Sequence, residues 1–321
     1  MNSKYLVVLV VLATALFCSR GFGQGNGTPA STEARNSAAT LSQTAGTRVV
    51  VLGTGNPSAD PERWGPAVAV IVNDRAYLID CGPGVVRRAA AAEKNGIAAL
   101  KAKELNIVFI THLHSDHTLG YPDLIFSPWV LGRKEPLEAY GPRGLKVMTS
   151  HIEKAWTADV RVRQRGLEQA NASGYKVNVH EIRPGVVYRD SNVTVTAFPV
   201  KHGIWKEAFG YKFETKDRKI VISGDTAPTD EVVKGCDGCD VLLHEVFNPH
   251  GDELNEEHWK KYFATFHTSP AELGEIARRS RPKLLVVYHQ SLEKLPEADL
   301  VEQIGREYKG NWVSAKDLGV Y

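Results

Sequence analysis

The chain is poor in cysteine. Its 321 residues hold four, and one of these, Cys18, lies in an N-terminal apolar stretch. The others are Cys81, Cys236 and Cys239, too few over this length for a disulfide-built scaffold. Cys236-Asp-Gly-Cys239 is a lone C-x-x-C. With no second pair it does not make a structural zinc site, and a disulfide and free thiols both stay open. Charge of one sign is also lacking. Lys and Arg number 39 against 37 Asp and Glu, a formal balance of +2, so the chain as a whole has no pull on a polyanion. Apolar runs are short: none approaches the roughly 20 residues a membrane-crossing helix needs.

One apolar run has a specific reading. Lys4 precedes Tyr5 to Phe17, and Cys18, Ser19, Arg20 and small residues follow. A charged start and a short apolar core predict a secretory signal peptide over 1–24, cleaved near Gly23, and a secreted or periplasmic protein. Phe17 is bulky where a lipoprotein needs a small residue before Cys18. Residues 25–46, rich in Gly, Asn, Thr, Ser and Ala, predict a flexible linker that cannot bury enough surface to offset its ordering entropy. The folded domain is expected over 47–321. Loss of Lys4 and Arg20, with no acid removed, takes the formal charge to zero. The expectation is no strong nucleic-acid signal, no membrane association after cleavage, and an ester or other small-molecule substrate. Arg161, Arg163 and Arg165 read as a solvated face.

What is present is concentrated in His112-Leu-His-Ser-Asp-His117, which follows the apolar run Ile107–Ile110. A buried strand ending in this loop throws three imidazoles and a carboxylate into one small volume. Such N and O donors suit a borderline transition metal, zinc first. Other apolar runs also end on polar residues: His202 after Val193–Val200, Asp225 after Lys219–Ile222, His244 and Glu245 after Val241–Leu243, and His289 after Leu284–Tyr288. Buried strands meeting loops are where sites are built. Strands dominate the start of each half and helices recur between them. The pattern predicts an α/β fold of four layers, two sheets face to face with helices outside.

The order His112-x-His114-x-Asp116-His117, Gly120, a lone His202, Gly224-Asp225 and a late His289 resembles the metallo-β-lactamase superfamily, over roughly residues 47–321. The resemblance implies a ββ/αα sandwich with two Zn²⁺ in the cleft, Mn²⁺ or Fe being acceptable substitutes. It implies that His112, His114 and His202 hold one metal, Asp116, His117 and His289 the second, and that Asp225 bridges them. Local wording (Val200-Lys-His202, Ala208-Phe-Gly-Tyr211, Ser223-Gly-Asp-Thr226, His244-Glu245, His267-Thr-Ser269, Leu52-Gly-Thr-Gly55 and Gly65-Pro66-Ala67) is similar to the ribonuclease Z and secreted arylsulfatase group. In that group the residue matching His267 is catalytic. Asp116 is expected to ligate and to orient an attacking hydroxide. His267 is expected to serve the leaving group, and Glu245 or Asp80 to fix a ligand imidazole from behind.

Two departures set the ranking. Ribonuclease Z of bacteria carries a tRNA-gripping arm between the segments matching Tyr211 and Ser223, and only Lys212 to Ile222 lie between them here. A secreted protein would also not meet precursor tRNA. The expectation is therefore a secreted or periplasmic dizinc hydrolase of phosphodiesters or sulfate esters. β-Lactamase, lactonase and thioesterase activities come next, and zinc β-lactamases generally lack the bridging aspartate. Ribonuclease Z ranks behind these. A diiron redox protein, whose pattern has Glu at the position of His114, or a non-catalytic metal binder comes last. Substrate choice is assigned to the shapes of the segments Phe126 to Arg133 and Asn248 to Phe266; Trp205, Trp259, Tyr262 and Phe263 read as core or surface packing first and as pocket walls second. His151, His180, His250 and His258 fall outside the pattern.

Overall fold

Both faces of most strands must be covered, because their apolar residues run almost without a break. In the computed structural model, which describes residues 46–248, 256–291 and 297–321, two sheets pack face to face and helices cover the outside. The expected leader and linker, and His250, lie outside these residues.

The first sheet has the order β14-β1-β2-β3-β4-β5-β6. Its strands are β1 (Thr47–Gly53), β2 (Ala67–Val72), β3 (Arg75–Ile79), β4 (Ile107–Phe109), β5 (Leu137–Gly141), β6 (Val177–Glu181) and β14 (Gly319–Val320). The second has the order β13-β12-β11-β10-β9-β8-β7. It comprises β7 (Gly185–Arg189), β8 (Val193–Pro199), β9 (Phe209–Thr215), β10 (Lys219–Ile222), β11 (Val241–Phe247), β12 (Leu284–Ser291) and β13 (Trp312–Ser314). Each sheet is part antiparallel and part parallel: β3 to β6 run parallel in one, β10 to β13 in the other.

Alternation along each strand distributes side chains between layers. Val49 and Val51 of β1 point into the seam between the sheets with Tyr77, Phe109, Tyr211, Phe213 and Val286. Val50 and Leu52 point the other way, onto helices α1 (Val85–Lys94), α3 (Tyr121–Val130) and α4 (Leu145–Ala155). In the second sheet Leu242, Leu285 and Val287 face α6 (Asp230–Cys236), α8 (Pro270–Ser280) and α9 (Glu297–Glu307). Each fully buried Val, Leu or Phe contributes about 1.5–3 kcal/mol, in the seam as in the two helix-covered layers. The rest of the helix set is α2 (Ser115–Thr118), α5 (Thr157–Arg165) and α7 (Glu257–Phe266). Trp156 separates α4 from α5.

Several sequence details take physical form. Ser269 caps α8 with a reciprocal bond to Glu272, and Pro270 opens the helix. Cys236 and Cys239 are bridged and Cys81 is a buried free thiol. The β9–β10 hairpin turns through Lys216, Asp217 and Arg218, with no projecting arm. Arg163 pairs with Asp159 and Glu168 on the surface of α5.

Candidate metal centre

The C-terminal ends of β4, β10, β11 and β12 open at one edge of the sandwich, the position where open α/β sheets bind ligands. β4 ends at Phe109, and the chain then delivers Thr111, His112 and His114 before α2 lifts Asp116 and His117 into the same space. β8 leads to His202. β10 leads to Gly224, whose φ of +63° turns the chain sharply so that Asp225 drops inward. A side chain at Gly224 would meet the Phe209 carbonyl oxygen at 2.9 Å. At Gly120, a Cβ would lie 2.3 Å from the carbonyl oxygen of Gly82. That close approach locks α3 against the loop that carries Asp80.

All seven side chains singled out by the sequence converge. The first set is His112, His114, His202 and Asp225, the second Asp116, His117 and His289, with ligand atoms of each set within 4.8 Å of one another. His114 Nδ1 lies 2.9 Å from His112 Nε2 and 3.0 Å from His202 Nε2. His117 Nε2 and His289 Nε2 are 2.9 Å apart, and Asp116 Oδ2 lies 3.4 Å from the first and 3.2 Å from the second. Asp225 stands between the sets. Its Oδ2 is 3.9 Å from both His112 Nε2 and His202 Nε2, and its Oδ1 is 3.3 Å from both His117 Nε2 and His289 Nε2.

The donor set fits metal ions. Four ligands on a tetrahedral zinc at 2.0–2.1 Å stand about 3.3 Å apart, and the separations above straddle that value. Asp225 Oδ1 is buried without a hydrogen-bond partner, an arrangement that is costly unless a cation satisfies it.

The electrostatics of the two sets differ. Burial pushes His112 well below the usual imidazole range, lowers His114, and takes His202 to about 4, so these rings are neutral. Burial opposes charge on His117 and His289 as well. There the carboxylates of Asp225 and Asp116, joined by Asp80 at His117, outweigh it and raise both rings. Burial works against an ionised Asp116, yet His117 and His289 bring it to about 2.

A second rank of groups fixes the rings. Asp80 Oδ2 lies 2.8 Å from His117 Nδ1, and its Oδ1 accepts the Thr111 amide at 2.8 Å. The Thr111 hydroxyl in turn lies 3.0 Å from His112 Nδ1. His202 Nδ1 lies 2.9 Å from the Phe266 carbonyl oxygen. Asp80 and His289 both hold left-handed backbone, φ +58° and +44°, strain of the kind that persists where the surroundings over-determine a functional site. The Trp205 indole N–H reaches His114 Nε2 at 2.8 Å. With His114 Nδ1 given to a cation, Nε2 carries the ring proton and the indole must turn aside.

His267 sits beside this centre, buried and held at about 4 by that burial. Its Nδ1 is 3.2 Å from Glu245 Oε1, which also accepts the amides of Thr226 and Thr268. Burial, then the charge on Asp225, raises Glu245 well above the carboxylate range. His244 points away from the centre, its Nδ1 on the Glu245 carbonyl oxygen at 2.8 Å.

A cavity of about 380 Å³ joins the metal-site residues to Trp259, Tyr262 and Phe263 of α7 and to Asn56, Pro57 and Ser58. The loop at 56–58 gives no sequence signal. Thr111 does, as a polar residue at a buried strand end directly before a donor. One expectation about the walls needs correction. Trp205 lines a separate small pocket with Arg143 and Lys206. The segment Phe126 to Arg133 does not line the cavity: Phe126, Trp129 and Arg133 are buried, Val130 and Leu131 are exposed, and Arg133 donates to the carbonyls of Leu105, Leu124, Ile125 and Gly174. His180 pairs with Glu138 on β5, away from the centre, and His151 and His258 lie on helix surfaces.

Fold and site together define a metal-dependent hydrolase. The family model described as the beta-lactamase superfamily domain matches residues 75–290. Ribonuclease Z of Mycobacterium sp. (strain KMS) is 33 % identical over 243 residues, 75 % of this chain and 83 % of that one. Ribonuclease Z of Methanothermobacter thermautotrophicus is 29 % identical over 293 residues, 76 % of this chain and 86 % of its own. Among solved structures, human tRNase Z, short form, is 26 % identical with a TM-score of 0.63, covering 85 % of this chain and 98 % of its own. The metallo-beta-lactamase fold protein YhfI of Bacillus subtilis shares the fold at 17 % identity, TM-score 0.64, over 86 % of this chain and 98 % of its own. The chain belongs to the metallo-β-lactamase superfamily, in its ribonuclease Z-like branch.

The relatives overturn two expectations. The ranking of phosphodiester or sulfate-ester hydrolysis ahead of ribonuclease Z is wrong, since the matched relatives carry the ribonuclease name. It rested on the leader and the missing arm, neither of which touches the chemistry of the centre. The expected lack of a nucleic-acid signal fails with it. Net charge measures long-range attraction, and a nucleic acid can equally be held by a few local contacts.

Proposed function

We propose that this chain is a ribonuclease Z-type phosphodiesterase that cuts RNA at the 3′ side of a tRNA-like substrate. The observation that carries the reading is the placement of Asp225, with one carboxylate oxygen toward each donor set and the Glu245–His267 pair beside it. Similarity to ribonuclease Z over three quarters of the chain supports the choice of RNA as substrate. His112, His114 and His202 would hold one cation, Asp116, His117 and His289 the other, with Asp225 shared. Their imidazole-rich chemistry favours zinc. Two bound cations supply Lewis acidity and lower the pKa of a shared water.

The protein's own part is positioning and proton handling. Asp116, ionised and 3.2 Å from His289, orients the attacking water. Burial keeps the His267 ring neutral at pH 7 and pushes Glu245 toward its protonated form. His267 can give its Nε2 proton to the oxygen that leaves the phosphorus while a proton from Glu245 moves to Nδ1 across the Nδ1–Oε1 contact, which leaves Glu245 as a carboxylate. Asp80 and Thr111 hold His117 and His112 in their ligating orientation.

The test is cleavage of a precursor-tRNA transcript by zinc-reconstituted protein, with a chelated control. Cleavage at the 3′ side that disappears with the metal, and with Asp225→Ala, is expected. An intact transcript beside active turnover of a β-lactam or a thioester would overturn the reading. Compartment is a separate proposal. The apolar leader and the Cys236–Cys239 bridge both suit an oxidising location, which cell fractionation reads directly.

A further inference from the structure

An RNA enzyme of this branch without a projecting arm needs its grip elsewhere, and α7 supplies a surface for it. None of the side chains of α7 is buried, yet Trp259, Tyr262, Phe263 and Phe266 fall on one side of it. Three of them wall the same cavity as His114, Asp116, Asp225 and His289. Three rings are engaged in packing: Phe263 stacks on Phe247 at 5.1 Å between centroids, Phe266 packs edge-on against His202 at 4.9 Å, and Tyr262 stacks one face on Phe266 at 4.4 Å. Trp259 and Tyr262 meet edge to face at 5.5 Å, and Trp259 remains 38 % exposed. At about 100° per residue, exposed Lys260 falls at one edge of this stripe, and exposed His258, at the other, lies 3.3 Å from Glu256. An exposed indole with a second ring set edge-on to it, walling the cavity of a phosphodiester-cleaving centre beside a lysine, is the composition of a stacking site for a nucleobase. An aliphatic ligand would make no use of the indole's flat face.

We infer that Trp259 stacks the nucleobase adjacent to the scissile phosphodiester, with Tyr262 set against the edge of that stack, so that the enzyme selects RNA whose cleavage site is unpaired. The inference rests on the reading above that RNA is the substrate. A paired base has both faces covered by its neighbours in the duplex and cannot reach the stacking site without leaving the duplex.

Two hairpin RNAs with a single-stranded 3′ extension provide the test, identical except that one has an abasic nucleotide next to the cleavage site. The wild-type enzyme is expected to show a KM about 5- to 150-fold lower for the RNA carrying the base. In the double variant Trp259→Leu, Tyr262→Leu that ratio should fall to near one, and Trp259→Phe should restore part of it. A 2-aminopurine at the same position of a non-cleavable analogue should be quenched on binding to wild type and remain bright with the double variant. Metal content and circular dichroism confirm that the variants fold. Equal KM values for the two RNAs in wild type, or a ratio retained by the folded double variant, overturns the stacking site and leaves the RNA reading standing. Failure of wild type to cleave either RNA removes both.

Discussion

The two halves of the metal centre solve one problem in different ways. Around His112, His114 and His202 the nearest donors are imidazoles, and burial keeps them neutral and ready to ligate. Around His117 and His289 the carboxylates of Asp116 and Asp225 outweigh burial and favour positive charge on the rings. The first half is a preformed cage. The second is a negative well that a cation neutralises. Asp225 gives one oxygen to each, and the contrast teaches that a cation must displace protons from the rings of the second half but not from those of the first, so that loading of the second half depends more steeply on pH.

The harshest way to break this comparison is Asp225→Ala. It should abolish metal-dependent phosphodiester cleavage and leave fewer than two ions per chain by elemental analysis. Two retained ions with high activity would show that the halves do not depend on a shared oxygen. His267→Ala should leave both halves loaded and lower kcat by about 10²- to 10⁴-fold. A metal content that fell in step with activity would place His267 among the ligands instead. Asp80→Asn and Thr111→Val separate the halves more finely. Asp80 touches His117 directly and reaches His112 only through the Thr111 hydroxyl. Asp80→Asn should weaken the second half by about 10- to 100-fold in zinc affinity, and Thr111→Val the first half alone, as two resolved steps in a calorimetric titration.

A further effect lies outside both halves and leaves the chemistry untouched. Burial holds His244 at about 4, below its ordinary 6.5, so the unfolded chain takes up the proton first as pH falls. Stability is complete above about pH 6.5 and is lost as pH drops from there to about 4, by about 3 kcal/mol for this one group. Urea midpoints of metal-free protein at pH 7.5 and 5 should fall together less steeply in His244→Gln. An unchanged pH slope would mean that His244 is protonated in the fold.

Much of the centre is legible in the chain because strands fix where side chains go. A run such as Ile107–Ile110 predicts a buried strand, and a polar residue directly after it has few places to point except the sheet edge. His112, His202, Asp225 and His289 are readable for that reason. The wall segments are not. Phe126 to Arg133 has apolar character equally suited to a pocket and to a core, and only the carbonyls gathered around Arg133 settle it. The aromatic residues of α7 show a helical stripe, but what the stripe faces depends on where the helix docks.

By itself the sequence determined the four-layer α/β class, the donor types and the superfamily, because periodicity and ligand chemistry are local properties of a chain. Only the tertiary structure decided that six other donors from both sheets meet around Asp225. It likewise decided that Glu245 stands behind His267 and that α7 roofs the pocket. Those facts are distances between residues far apart in the chain, and packing of the two sheets sets them.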